Sequence, residues 1–336
     1  MKASVVIPVY NKAPFLKECL ESVFAQSFQA FEVIAVDDAS TDGSLDVLRS
    51  CTDPRLRIIE LERNVGPGGA AQRAMDAAQG EYILRVDADD ILFPERFAKQ
   101  VALLDQRPEI GVCSGHLQLL SEPNIVHRVE IADVDCKARM LFGVPINQPA
   151  AAYRRSVLVE NDIRFRDHWP RYGEDWMQQI ELAKVTRFQN LNEPLIHYRH
   201  GKNNIAYGRD RAADLRALYR HVFTFFGFPM NDEELELQLM TVRCVPIPID
   251  RDRVRTFRAW LDRLAASNER LQVFDTQALQ RQLDRIWNDF FYLLPAYGWS
   301  PSVAHWGIGQ GPSWKQLYYL LAVQLKGGAH ERLFKE

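Results

Sequence analysis

The residues with the clearest chemical potential lie in the stretch Tyr82-Ile83-Leu84-Arg85-Val86-Asp87-Ala88-Asp89-Asp90. Its apolar first half predicts a short buried strand, which runs directly into the carboxylates. Asp87 and Asp89, one residue apart, are suited to a hard divalent cation, and such a cation can in turn hold a diphosphate. The alternative interpretation is that Asp89 and Asp90 only cap a following helix, in whose first turn we place Pro94.

Three other features in the first quarter of the chain could bind a ligand. Asp38 either caps a loop or accepts hydrogen bonds from a base or ribose. Tyr10 either packs in a core or offers an aromatic face on which a base can stack. The Gly66-Pro67-Gly68-Gly69 stretch before a helix is either a tight turn or a phosphate cradle of free amides. Its spacing matches neither the dinucleotide-binding nor the P-loop motif.

A second acidic pair, Glu174-Asp175, opens a predicted helix much later in the chain. Acids in a first helical turn either interact favourably with the helix dipole or supply a carboxylate base at the helix mouth. His200 follows within a polar loop, where it is either an ordinary loop histidine or a ligand.

The segment from residue 1 to about 115 alternates between strand-like and helix-like patterns. This alternation predicts parallel strands with helical crossovers, in which the polar residues after successive strands converge at one sheet edge. The predicted strands are Ala3–Pro8, Phe31–Val36, Leu56–Leu61 and Tyr82–Val86, and the predicted helices are Pro14–Gln26, Gly43–Arg49 and Ala70–Gln79.

Beyond residue 110 the alternation becomes looser, but it still predicts a mixed α/β fold. The predicted elements are a strand or strand pair over Ile110–Leu120, a helix over Val134–Phe142, a strand over Ala151–Leu158, a helix over Trp176–Lys184 and a strand over Pro194–Tyr198.

Residues 205–336 have a helical pattern. Ser313–Lys326 is predicted to be a helix that is apolar nearly all round, and we expect it to pack against the catalytic domain. Peripheral membrane attachment and dimerisation through this region are the alternatives. Trp287, Trp299 and Trp306 are more typical of core packing than of a sugar-binding groove.

Composition narrows the class of protein. The 336 residues carry a net charge of −3, without the basic excess typical of nucleic-acid binders. The five cysteines are odd in number and scattered, which indicates neither a disulfide framework nor a zinc site and favours a reduced cytosol. The chain enters a strand-like run at once, so we expect no signal peptide. No apolar run approaches the ~20 residues that span a bilayer, so any membrane role would be peripheral.

Four of these motifs together resemble, in order and spacing, the family 2 glycosyltransferases with the GT-A fold. They are Ser4-Val5-Val6-Ile7-Pro8-Val9-Tyr10-Asn11, Val36-Asp37-Asp38-Ala39-Ser40-Thr41-Asp42-Gly43, Gly80-Glu81-Tyr82-Ile83 with Asp87-Ala88-Asp89-Asp90, and Glu174-Asp175-Trp176. The resemblance covers roughly residues 1–200. Arg85 to Asp90 with Pro94-Glu95-Arg96 looks like the bacterial subset that builds surface polysaccharides and lipopolysaccharide.

The resemblance implies a GT-A catalytic domain, Rossmann-like with a mostly parallel sheet flanked by helices, over residues 1–204, and a helical C-terminal extension over 205–336. Within it, residues 1–110 would bind the nucleotide and 111–204 the acceptor. The implied reaction is metal-dependent, inverting transfer from a nucleotide sugar, with a UDP-sugar favoured, to a glycan or lipid-linked saccharide. The cofactor would be Mn²⁺ or Mg²⁺, and the enzyme would be cytoplasmic or peripheral at the inner face of the cytoplasmic membrane.

Carried over by position, the resemblance also implies roles for single residues. Asp175 would be the catalytic base, and Asp89, Asp87 and His200 would hold the metal. Acceptor contacts would come from Gln148, Glu174 and Trp176, with Asn147 and His168 as further candidates. The donor would be bound by Pro8, Val9, Tyr10, Asn11, Asp38, Gly66, Arg73, Arg85, Asp87 and Ala88.

Two departures from the family pattern qualify these roles. Ala70-Ala71-Gln72 stands where the family commonly has Ala-Arg-Asn, so a phosphate-binding arginine is missing and Arg73 or Arg85 would have to replace it. The family's histidine also falls one position after His200. A nucleotide-sugar-binding scaffold without turnover is therefore the alternative function. A nucleotidyltransferase would instead want a basic glycine-rich loop in place of Val9-Tyr10-Asn11-Lys12.

Overall fold

The computed structural model describes residues 1–166, 169, 172–201, 208–245, 247–309 and 311–325. The chain forms two compact units, Met1–Gly208 and Arg209–Glu336. The boundary lies close to the predicted position 204, at the start of the helical region.

The first unit alternates strands and helices as its sequence pattern predicts. Its strands are β1 Ala3–Val9, β2 Phe31–Asp37, β3 Leu56–Glu60, β4 Tyr82–Arg85, β5 Ile91–Leu92, β6 Ile110–Leu119, β7 Val126–His127, β8 Ala152–Arg154 and β9 Arg187–Tyr198. Its helices are α1 Ala13–Phe24, α2 Ser44–Ser50, α3 Pro67–Ala77, α4 Arg96–Gln106, α5 Asp133–Arg139, α6 Arg155–Glu160 and α7 Glu174–Leu182, with a 3₁₀ turn over Gln148–Ala150.

The strands form one sheet in the order β3-β2-β1-β4-β8-β6-β9-β5, with β7 paired to β6. The β3-β2-β1-β4 half is parallel throughout, as the sequence predicts. Antiparallel β8 then joins β4 to β6, which is parallel to β9. Strands β1, β2 and β4 are almost wholly buried because parallel strands are covered by helices on both faces.

Two predicted elements differ from the structure. The strand predicted over Ala151–Leu158 ends at Arg154, where its partner β4 begins at Tyr82, and the chain continues as helix α6. Pro94 lies ahead of α4 rather than in its first turn, because Ile91–Leu92 first forms strand β5 against β9. A strand of two residues is too short to produce a periodic signal.

The second unit is helical, as predicted. Its helices are α8 Arg211–Phe226, α9 Asp232–Thr241, α10 Arg251–Leu271, α11 Thr276–Phe290, α12 Trp299–Ile308 and α13 Trp314–Leu325, with a 3₁₀ segment over Phe291–Tyr297. Asp210, Asp250 and Asp275 each cap a helix by accepting a main-chain N–H.

Aromatic side chains fill the core of the helical unit. The ring of Phe257 packs against Trp260, Trp287 and Phe290. Trp287 is buried as predicted, whereas Trp299 is 48% exposed. In the described part of the chain, no helix has the length and apolarity needed to cross a lipid bilayer.

Candidate active site

The loops that follow β1 and β2 are tied together by hydrogen bonds. The main-chain N–H of Asp38 donates to the carbonyl of Val9 at 2.8 Å. Asn11 accepts from the Thr41 N–H through Oδ1 at 2.8 Å and donates its own N–H to Ser40 Oγ at 3.1 Å. These bonds confirm the predicted convergence of the first two strand ends.

Asp38 extends this convergence to the loop after β3. Its buried carboxylate accepts from the N–H groups of Val65 at 2.7 Å and Gly66 at 2.9 Å. Gly66 has φ +89°, which favours glycine. The ring of Tyr10, at the end of β1, is 46% exposed and is therefore accessible to a ligand.

The acidic turn after β4 carries carboxylates that are paired with cations. Arg85 Nη2 lies 2.8 Å from Asp87 Oδ1, and Lys12 Nζ forms an ion pair with the largely buried Asp89. Burial raises the pKa of Asp89, and the Lys12 ammonium opposes this rise. The predicted capping role of Asp89 is absent because α4 begins only at Arg96.

Contacts of two arginines, which the sequence pattern does not reveal, hold this turn in place. Arg199 donates its N–H to Asp90 Oδ1 and its Nε to the carbonyl of Asp89, each at 2.9 Å. Arg96 is fully buried and donates to the carbonyl of Arg85. Burial raises the pKa of Asp90 and lowers the pKa of Arg96 to about 10. Of Lys12, Arg96 and Arg199, only Lys12 could have been found from the sequence, because it lies two residues after Tyr10, near the end of a predicted strand.

Asp175 lies in the first turn of α7, where its carboxylate accepts the Trp176 N–H at 2.9 Å. Burial is the main cause that raises the pKa of Asp175. The Asp87 carboxylate raises this pKa further, and the Arg85 guanidinium lowers it. Asp175 is therefore close enough to Asp87 and Arg85 to interact with both electrostatically.

The residues on either side of Asp175 have different environments. The Glu174 carboxylate lies against Gly68 in the first turn of α3, so close that a Cβ added at Gly68 would be 2.3 Å from Glu174 Oε2. Trp176 is 4% exposed, and its indole N–H donates to the carbonyl of Met140 at 2.8 Å. Trp176 therefore does not make the predicted acceptor contact, because it lies on the buried face of α7.

The remaining predicted site residues are distributed more widely. Gln148 Oε1 accepts the Tyr153 hydroxyl at 2.8 Å, and its Nε2 is buried without a partner in the described residues. Val9 and Ala88 are buried in the sheet core. His200 is exposed just beyond β9, and His168 lies outside the described residues.

A divalent metal is compatible with two of these carboxylates. Within residues that the structure describes, no three His, Cys, Asp or Glu side chains are grouped to hold a metal ion, so His200 does not complete a site with Asp87 and Asp89. Mg²⁺ commonly uses only one or two protein carboxylates and takes its other ligands from substrate phosphates and water. Asp87, whose side chain is one-third exposed, and Asp89 fit that mode if the metal ion replaces Arg85 and Lys12 as their partners.

Comparison with known proteins identifies the family. The sequence matches the family model described as glycosyl transferase family 2 over residues 4–160. The putative glycosyltransferase EpsE of Bacillus subtilis (strain 168) is 31% identical over 197 residues, which cover 55% of this chain and 71% of EpsE. The chain belongs to glycosyl transferase family 2. The predictions that it is an enzyme and that it transfers a sugar are thereby confirmed.

A second relative, the poly(ribitol-phosphate) β-N-acetylglucosaminyltransferase TarS of Staphylococcus aureus (strain Mu50), is 30% identical over 205 residues. This alignment covers 59% of the family 2 chain described here but only 35% of TarS.

Solved structures confirm the fold. TarS residues 1–349 in complex with UDP-GlcNAc match with a TM-score of 0.59 at 19% identity, over 97% of this chain and 92% of that one. The Pyrobaculum calidifontis mannosyltransferase PcManGT, in complex with GDP-Man and Mn²⁺, matches with a TM-score of 0.51 at 20% identity, over 97% and 86%. The predicted GT-A type α/β fold with C-terminal helices is therefore confirmed.

Proposed function

We propose that this family 2 glycosyltransferase moves a sugar from a UDP-sugar to a glycan or lipid-linked saccharide in bacterial surface-polysaccharide or lipopolysaccharide synthesis, with inversion at the anomeric carbon. Two solved structures support a nucleotide-sugar donor, TarS with UDP-GlcNAc and PcManGT with GDP-Man, and of the two only TarS supports UDP as its nucleotide. The name of TarS supports a surface-polymer acceptor.

One observation carries the proposal. Asp175, whose pKa is raised by burial, interacts electrostatically with Asp87 and Arg85 at the end of β4. A carboxylate that can take up a proton is therefore within electrostatic range of the acidic turn that would hold the donor. This juxtaposition is what a single-displacement transfer requires, because the base and the leaving group must act on the same anomeric carbon.

The donor would lie along the ends of β1, β2 and β4. The exposed ring of Tyr10 would stack on the base, and Asp38 would accept a hydrogen bond from the base or ribose. The remaining donor contacts keep their predicted assignment to Pro8, Val9, Asn11, Gly66, Arg85, Asp87 and Ala88. Arg85, already in contact with Asp87, would supply the positive charge that Ala71 cannot.

Asp87 and Asp89 would hold Mn²⁺ or Mg²⁺ when the metal is bound, without the predicted third ligand His200. The cation would neutralise charge on the departing diphosphate.

Asp175 would remove the proton of the acceptor hydroxyl. The acceptor oxygen then forms a bond to the anomeric carbon on the face opposite the nucleotide, and the bond to the diphosphate breaks with its electron pair. The nucleoside diphosphate leaves, and Asp175 holds the proton. Gln148 and Glu174 keep their predicted assignment as acceptor contacts.

Substitution of Asp175 tests this function directly. With a panel of UDP-, GDP- and dTDP-sugars plus Mn²⁺ or Mg²⁺, we expect Asp175→Asn to keep donor binding but to lower kcat by roughly 10²- to 10⁴-fold, since the base is lost. Glu122→Gln, an exposed acid elsewhere in the same unit, is the matched control. Full transfer activity in Asp175→Asn would show that the base is another residue.

The metal assignment has its own test. We expect Asp89→Ala to abolish the metal-dependent part of UDP binding in titration calorimetry, because one of two proposed metal ligands is removed. The metal-independent part should persist through Tyr10 and Asp38. Metal-dependent binding that is unchanged in Asp89→Ala would contradict the assignment.

We further propose that the protein is cytoplasmic and that its C-terminal unit forms a homodimer or a peripheral membrane contact. The exposed side chains of Trp314, Tyr318, Leu321 and Leu325 recur along one face of α13, which supports an apolar contact there. Sedimentation and vesicle flotation of a Trp314→Glu/Leu325→Glu variant distinguish a dimer from a membrane contact.

A further inference from the structure

An arginine-lined groove opens beside the base-bearing helix in the Met1–Gly208 unit. Its volume is about 610 Å³, and its wall combines the loop after β3, the exposed side of α3 and the described residues 164–166 and 169. Of the residues that the structure describes, four arginines and two acids line it: Arg63, Arg73, Arg164, Arg166, Asp76 and Glu174. This described part of the wall therefore carries two more positive than negative side chains.

Two of the four arginines have an acidic partner. Arg164 pairs with Asp76 at 3.1 Å, and Arg166 lies 3.5 Å from Glu181. Over the described ranges, neither Arg63 nor Arg73 has an ion pair, and both side chains are exposed. Two guanidinium groups thus face the groove with their charge uncompensated by the described protein.

The groove is distinct from the proposed donor site. With the exception of Arg73, none of the side chains assigned to the donor lines it, including Tyr10, Asp38, Arg85 and Asp87. Its link to the chemistry is Glu174, which lines the groove and directly precedes the base Asp175. A ligand in the groove therefore lies at the start of α7, the helix whose first turn carries the proposed base.

The groove also continues along the surface of the same unit. A second cavity of about 230 Å³ shares Gln72, Asp76 and Arg164 with it and adds one cation and one acid, Arg155 and Asp162, to its wall. A chain of several sugar or polyol units can follow such an elongated channel, whereas a single small ligand would leave most of it empty.

We propose that this groove binds an acceptor chain that carries anionic groups, either phosphodiesters or carboxylates, and that Arg63 and Arg73 are its main charge contacts. Guanidinium groups bind both anions through paired, charge-assisted hydrogen bonds. This inference rests on the proposed transferase function and adds the class of its acceptor. It also gives Arg73 a role on the acceptor side in place of the donor side.

The test measures acceptor binding and donor binding separately on the full chain. Fluorescently labelled oligomers of equal length are titrated in the presence of UDP and Mn²⁺: a polyol phosphate, a uronic-acid oligosaccharide and a neutral oligosaccharide. We expect at least one anionic oligomer to bind about tenfold more tightly than the neutral one, and Arg63→Gln/Arg73→Gln to remove this preference. Preferential binding of the polyol phosphate or of the uronic-acid oligosaccharide shows whether the acceptor carries phosphate or carboxylate groups.

Arg57→Gln is the matched control, because Arg57 is an equally exposed arginine of the same unit that does not line the groove. The UDP affinity of every variant should stay unchanged. Equal binding of anionic and neutral oligomers by the unsubstituted chain would overturn the proposal, as would a loss of UDP affinity in the double variant. Failure of the unsubstituted chain to bind UDP at all would instead count against the proposed function.

Discussion

At the residue scale, the environment of Asp175 combines opposing influences on one carboxyl. Burial and the Asp87 carboxylate raise its pKa, whereas the Trp176 N–H and the Arg85 guanidinium lower it. Arg85 also contacts Asp87 at 2.8 Å. One guanidinium thus influences both the proposed base and the proposed donor-binding acid, and we therefore propose Arg85 as a positioning residue.

The pH dependence of kcat tests this role. Because Asp175 must be ionised to act and its pKa is raised, the acidic limb of kcat should lie above the ordinary aspartate pKa of about 3.9. Removing the Arg85 charge disfavours the ionised base, so Arg85→Gln should move that limb to higher pH, and Arg85→Lys should largely restore it. Measurements at saturating donor separate this shift from changes in KM. A limb unmoved in Arg85→Gln would contradict the coupling.

At the element scale, the site depends on strands whose main chains approach closely. A Cβ at Gly80, just before β4, would lie 2.5 Å from the Ala3 carbonyl carbon and 2.6 Å from the Ser4 nitrogen of β1. The Gly80 N–H also donates to Ser4 Oγ at 2.8 Å. Glycine at this position allows β1 and β4 to enter the sheet side by side, and their opposite ends then bring Tyr10 and Asp87 to one edge.

Gly80→Ala should therefore destabilise the first unit. The added methyl meets main-chain atoms that cannot move independently of the sheet, so we expect a loss of about 1–3 kcal/mol in urea unfolding. Gly201→Ala is the control, because a Cβ there meets no atom of the described residues within 4 Å. Equal stability of the two variants would show that the strands have room to separate.

At the scale of the whole molecule, the proposed donor site lies within the Met1–Gly208 unit. A ligand that binds only the folded state stabilises it by mass action, by about 2.7 kcal/mol at 100 times its Kd. UDP with Mn²⁺ should accordingly raise the thermal transition of this unit and leave any separate transition of the helical unit unchanged.

Tyr10→Ala tests this linkage without disturbing the fold, because the side chain is 46% exposed. Loss of base stacking costs roughly 1–3 kcal/mol of binding, so the ligand-induced rise in Tm should shrink while the Tm without ligand stays the same. Tyr318→Ala, an exposed tyrosine in the helical unit, should respond to UDP like the unsubstituted chain. An undiminished shift in Tyr10→Ala would place the base elsewhere.

The sequence by itself determined the parallel arrangement of the strands in the first half, the position of its acids and the family. Strands β1 and β4 begin where their apolar patterns predict, at Ala3 and Tyr82. Because parallel strands end at one edge, the convergence of the loops at Asn11, Asp38 and Gly66 followed from local pattern alone.

Only the tertiary structure decided which distant groups meet. The Lys12–Asp89 ion pair and the hydrogen bond from the main-chain N–H of Arg199 to Asp90 join residues 77 and 109 positions apart, and the contact of Glu174 with Gly68 joins two helix starts. The same holds for the arginine groove, whose wall combines side chains between residues 63 and 76 with residues 164–166, 169 and 174. Periodicity reports which face of an element is buried, but it contains no information about which distant side chain packs against that face.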